Sequence, residues 1–121
     1  MILIDTSIWI DHFRAPEKRV ISILDDGKLL AHPFVIGEIM LGNMRGRERI
    51  ADLLGRITQA IVANADEMLA FISLNRLGGR GIGYVDAHLL AAARLTPDTQ
   101  LWSRDKRLAA TARELGVGYA E

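Results

Sequence analysis

Four acids carry the chemistry this sequence could perform: Asp5, Glu38, Asp86 and Asp105. The chain opens MILIDTSIWIDHF, so a short apolar run ends in Asp5 and two hydroxyls. Asp86 and Asp105 each fall in the first turn of an expected helix, after the glycine run 78–83 and after the segment LWS. Taken singly, such acids are explained as caps, because a carboxylate there accepts backbone N–H bonds and suits the helix dipole. Glu38 is different. It stands inside FVIGEIML, among apolar residues and glycine, where it cannot cap. A buried helix there would demand a partner for its charge, either an arginine or a cation shared with other acids. Oxygen ligands gathered from several parts of a fold are what a hard divalent ion such as Mg²⁺ or Mn²⁺ takes.

The elements that would position these acids follow from the pattern. Ile2–Ile4 reads as a strand buried on both faces. Thr6–Phe13 reads as a helix. A second helix follows Pro16, with Val20, Ile21 and Leu24 inward, and stops at Gly27. Leu29–Ala31 is a second strand closed by His32-Pro33. FVIGEIMLG reads as a mostly buried helix, and Glu48–Ile57 as one with Ile50, Leu53, Leu54 and Ile57 on a single face. Ala60–Ala63 is expected as a third strand. Asn64 and Glu67 form a capping pair for a helix over 67–77. After the glycine run come a helix near 85–95, a strand over Leu101–Ser103, a helix over 104–115, and an edge strand over Val117–Ala120. Alternating strands and helices predict an α/β domain over residues 1–121, with a central parallel sheet of four or five short strands covered by helices in three layers. In such sheets the ligand crevice lies beyond the carboxyl ends of the strands, where Asp5 and Asp105 fall.

Bulk properties exclude several classes. The 121 residues suit one domain, half of them hydrophobic and a quarter charged. Fifteen basic and fifteen acidic residues cancel, so net charge argues neither for nor against a nucleic acid. Without cysteine there is no disulfide or thiolate zinc site. No signal peptide or membrane-length apolar run is present, so a cytoplasmic protein is expected. The three histidines, His12, His32 and His88, form no ligand motif and read as structural.

The segments LIDTSIWID, IGEIMLG, YVDAHLLAAA and LWSRDKRL, in that order, resemble the motifs of PIN-domain nucleases. The chain's size resembles the VapC-type ribonuclease toxins of toxin–antitoxin pairs. The resemblance implies that Asp5, Glu38, Asp86 and Asp105 are catalytic acids holding Mg²⁺ or Mn²⁺, supported by the hydroxyls of Thr6, Ser7 and Ser103. It implies RNA as substrate, a cognate antitoxin and a homodimer. Arg45, Arg47, Arg104, Lys106 and Arg107 are the candidate RNA-binding cations, with Arg14, Lys18 and Arg80 beside them; the alternative is a solvated face with pairs such as Glu48 and its arginine neighbours. Trp9, Ile10 and Phe13 could line the core or an apolar groove for an antitoxin helix. Leu53, Leu54 and Ile57 are candidates for the dimer contact. Two other architectures remain: a non-catalytic binding module on a nuclease-like fold, and a Mg²⁺-binding receiver domain. The receiver reading lacks an acid pair after the first strand and an acid after the third. A phosphatase with an aspartate nucleophile would need an acid where Ser7 stands.

Overall fold

The computed structural model describes residues 1–121. Its elements run β1 (Ile2–Ile4), α1 (Thr6–Arg14), α2 (Lys18–Asp25), β2 (Leu29–Leu30), α3 (Pro33–Leu41), α4 (Arg47–Gly55), α5 (Ala65–Leu74), α6 (Tyr84–Leu95), β3 (Gln100–Trp102) and α7 (Lys106–Glu114). The sheet is parallel, in the order β2-β1-β3. Ile2 pairs with Leu29 and Gln100, and Ile4 with Trp102. Leu3, Ile4, Leu30, Leu101 and Trp102 are almost fully buried, as a sheet covered on both faces requires.

The sheet has three strands, not four or five. The expected strand at Ala60–Ala63 is a single parallel bridge from Ala31 to Gln59. Ala60 N–H donates to Ala31 O at 2.8 Å, but Ile61 N–H turns away to the Thr96 hydroxyl at 2.9 Å, so the ladder ends after one step. The expected edge strand at Val117–Ala120 is likewise one bridge, from Leu101 to Gly118.

Three helix faces also differ from expectation. α2 buries Val20 and Ile23, while Ile21 and Leu24 face solvent. α4 buries Leu54, half-buries Ile50 and leaves Leu53 exposed, and Ile57, expected on the same helix, lies half-buried just beyond its end. α3 buries only Val35 and Ile39. A helix that is apolar almost all round gives no phase from which to read its inner face.

Caps behave as the sequence suggests, with one addition. Asn64 and Glu67 make the reciprocal capping box of α5 at 2.8 and 2.9 Å. His32 caps α3 by accepting from Phe34 N–H through Nδ1 at 3.0 Å, with Pro33 in the first turn. Replacing fully buried Leu3 with Ala should cost about 2–5 kcal/mol through the cavity left behind. Leu41→Ala, at a side chain 89% exposed, should stay within about 0.5 kcal/mol of the parent. Urea denaturation of both variants checks the contrast.

Candidate active site

β1 and β3 are neighbours, so their carboxyl ends deliver Asp5 and Asp105 to the same edge of the sheet. Asp5 N–H donates to Trp102 O at 3.1 Å, one step before Ser103. The Asp5 carboxylate is buried and heavily bonded. It accepts from Ser7 Oγ at 2.5 Å, from Ile8 N–H at 3.3 Å, and from Ser103 Oγ across the strand ends. Burial raises its pKa, and the Ser103 and Ser7 hydroxyls pull it part of the way back. The capping reading of Asp5 therefore holds alongside the site reading, since it closes the first turn of α1. Asp105 likewise caps α7 by accepting from Leu108 N–H at 3.0 Å.

Glu38 is exposed, not buried. Its partner is not an arginine but Thr6 Oγ1, which donates to Oε1 at 2.6 Å. Thr6 stands in the first turn of α1, so α1 supports Asp5 through Ser7 and Glu38 through Thr6.

Asp86, in the first turn of α6, shows that the four converge. Its pKa is pushed up to about 6, first by burial and then by the charges of Asp105, Asp5 and Glu38. Acids from four separate elements thus share one electrostatic neighbourhood. No three His, Asp or Glu side chains stand close enough to form a ready-made metal cage. The donor set nonetheless fits a hard, hydrated divalent ion. All the donors are oxygens, and Mg²⁺ takes only one or two carboxylates directly while keeping waters. A dehydrated zinc site, with its four close ligands, does not fit.

The histidines stand apart from this chemistry. His12 Nδ1 accepts from Glu17 N–H at 3.0 Å. His88 packs among Phe34, Tyr84 and His32, with its ring 4.3 Å from that of Phe34. Burial lowers the pKa of both His32 and His88, that of His32 to about 4.

The candidate RNA-binding cations separate into two groups. Arg104 is fully engaged: its guanidinium donates to Asp11 at 2.8 Å, to both Glu17 oxygens at 2.7 and 2.9 Å, and to Glu121 at 2.8 Å. It also lies 5.7 Å from the Trp102 ring centre. It is a brace, unavailable to a ligand, and it holds Glu17 below the usual carboxylate range. Arg80 is paired with Glu114. Glu48 makes no ion pair with its arginine neighbours; on α4 that pair is Asp52 with Arg56, at 2.9 Å. Arg45, Arg47, Lys106 and Arg107 have no acidic partner.

Beside Glu38 lies a groove of about 700 Å³ between α1, α3 and α4. Ile10, Phe13, Ile39, Met44 and Ile50 give it an apolar lining, and Arg14 and Arg45 reach its rim. Trp9, by contrast, is core. Ile39, Met44 and Ile50 were not legible as groove residues, because nothing in their local pattern distinguishes a groove wall from the core.

The PIN domain family model matches residues 2–114. This chain belongs to the PIN-domain family. Ribonuclease VapC32 of Mycobacterium tuberculosis, in strains CDC 1551 and H37Rv, is 46% identical over all of this chain and 98% of its own length. Among solved structures, FitAcB from Neisseria gonorrhoeae superposes with a TM-score of 0.61 at 21% identity, covering 93% of this chain and 94% of that one. PAE2754 from Pyrobaculum aerophilum reaches a TM-score of 0.53 at 17% identity, over 91% and 83% of the two chains. At such identities the structural likeness speaks for the PIN fold alone. Membership sets aside the receiver and aspartate-phosphatase architectures.

The repulsion at Asp86 has a measurable sign. Its folded pKa of about 6 lies above the ordinary 3.8, so the folded state holds that proton more tightly than the unfolded chain. The associated stability is full below pH 3.8 and is lost as pH rises through about 6. Asp86→Asn removes the charge at nearly constant shape. Without metal at pH 7 the variant should melt above its parent, on a scale of about 4–8 °C per kcal/mol. The gap should close towards pH 4, where the folded parent carries Asp86 protonated; the opposite effect of buried His32 is common to both proteins. Calorimetry in EDTA checks this, and a lower-melting variant at pH 7 would leave Asp86 as a helix-dipole partner only.

Proposed function

We propose that this PIN-domain protein is a divalent-metal-dependent endoribonuclease, and the toxin of a pair in which a cognate antitoxin silences it. One observation carries the reading: Asp5, Glu38 and Asp105, from three other elements, all act on Asp86, whose pKa burial and then these charges push up to about 6. A polyanionic substrate could approach these acids only with cations present. The 46% identity to a protein named as a ribonuclease directs the reading to RNA.

In this mechanism Asp5, Glu38, Asp86 and Asp105 would hold Mg²⁺ or Mn²⁺, directly or through water. When bound, such an ion neutralises charge at the scissile phosphate and acidifies water for attack. The chain's own residues fix the geometry. Ser7 and Ser103 lock the Asp5 carboxylate between them, and Thr6 orients Glu38. Asp86 and Asp105 are placed by the starts of α6 and α7. Water's oxygen joins phosphorus as the bond to the leaving ribose oxygen breaks. Histidine is not needed as a base.

The groove beside Glu38 suits an apolar segment of the antitoxin, which there would lie across the approach to the acids. A homodimer would draw on Leu53, the one member of its expected contact that is exposed; Leu54 belongs to the core and Ile57 packs against it. No helix is long and apolar enough to cross a membrane, which agrees with a cytoplasmic site of action.

RNA cleavage with added Mg²⁺ or Mn²⁺ tests the reading. Asp5→Asn and Asp86→Asn should each lower turnover by about 100-fold or more, as loss of a charge-stabilising group commonly does, while the variants stay folded. Full activity in excess EDTA, or near-normal turnover in either variant, would overturn it. The antitoxin reading has its own check: the small protein encoded beside this one should bind it and inhibit cleavage, and proteolysis of that partner should restore activity.

A further inference from the structure

The glycine-rich loop 78–83 joins α5 to α6. Gly79 and Gly81 both adopt left-handed backbone, at φ +78 and +76. Their surroundings differ. A Cβ added at Gly79 would meet nothing within 4 Å. One added at Gly81 would collide with Arg107 Nη1 and lie 3.0 Å from Cζ and 3.2 Å from Cδ. The Arg107 side chain therefore rests along the Gly81 backbone, in space that any other residue would fill.

This seat lies beside the acids. Arg107 is in the first turn of α7, two residues after Asp105. Two residues along the loop, a Cβ on Gly83 would stand 4.0 Å from Asp86 Oδ2. The loop is also tied down, because Arg80 pairs with Glu114 of α7 and donates to Arg76 O at 3.1 Å. Yet the Arg107 guanidinium has no acidic partner, whereas Arg56, Arg80 and Arg104 each have one. Arg107 is exposed, so its planar guanidinium is open to an anion.

We propose that Arg107, packed along Gly81, is a contact for a phosphate of the RNA strand next to the scissile bond, and that Gly81 is its positioning residue. The proposal rests on the nuclease reading. Four acids repel the strand on either side of the cut, and a cation on the helix that Asp105 caps offsets that repulsion where metal does not. Such a contact orients the strand without reading its bases.

Binding of a short fluorescein-labelled, mixed-sequence single-stranded RNA, followed by anisotropy in EDTA, tests it. Arg107→Ala should weaken binding about tenfold, as loss of a charged hydrogen bond does. It should also make the dependence of log affinity on log salt shallower by about 0.7 between about 50 and 200 mM. Gly81→Ala should shift both readouts in the same direction. Gly79→Ala carries the same left-handed backbone cost without the collision, and should leave the salt slope unchanged. In the Arg107→Ala background, Gly81→Ala should add nothing to the loss. An unchanged slope in Arg107→Ala overturns the contact, and this variant decides that point even if Gly81→Ala does not fold. Equal RNA affinity for Gly79→Ala and Gly81→Ala overturns the seat. A parent that cleaves RNA while Arg107→Ala binds as tightly as the parent keeps the nuclease reading and overturns this one. A parent that neither binds nor cleaves overturns both.

Discussion

Burial and neighbouring charge together raise the pKa of Asp86, and the carboxylates gathered around it oppose the fold that gathers them. Three of the four sit where they would serve a helix even without a site, and the fourth takes a hydroxyl from another helix. Asp5 and Asp105 accept first-turn N–H groups, Asp86 sits where the dipole of α6 favours an anion, and Glu38 takes the hydroxyl of Thr6. Helix-terminal chemistry thus supplies part of the stabilisation that electrostatics removes. The remainder shows as the raised pKa of Asp86. It is also what a cation would relieve on binding, since a ligand of the folded state alone adds about 2.7 kcal/mol at 100 times its dissociation constant.

The arrangement also needs its frame to stay rigid. Arg104 follows β3 directly and spans Asp11 on α1, Glu17 before α2, and Glu121 near the chain end. Its backbone N–H donates to Ser7 Oγ at 3.2 Å, and that hydroxyl in turn donates to Asp5. One residue therefore links the cation brace to the most buried acid. Trp102 Nε1 bonds Glu121 at 2.9 Å, closing the same knot from the sheet side. The glycine loop 78–83 leads into α6, whose first turn carries Asp86.

Much of this was legible in the sequence because local rules and global fold agree. The strand before Asp5, the Asn64–Glu67 box and the first-turn acids are each readable within a few residues. What was not legible depends on distant partners. The Ala60–Ala63 segment has strand-like residues, yet Thr96, 35 positions away from Ile61, captures its N–H. Glu38 reads as buried from its neighbours, but α3 turns that face outward. Arg104 looks like any other arginine in SRDKR, and only the folded chain brings three acids to it. Arg107 stands three residues on in the same run and is left without an acid.

The central claim is that these four carboxylates form one coupled cluster suited to a divalent cation. ¹³C NMR titration of the aspartate side-chain carboxyls in metal-free protein addresses it directly. The account predicts an Asp86 midpoint near about 6, moving down when Glu38 is changed to Gln and leaving this range when Mg²⁺ saturates the site. A midpoint at the ordinary 3.8, indifferent to both Glu38 and Mg²⁺, would contradict it.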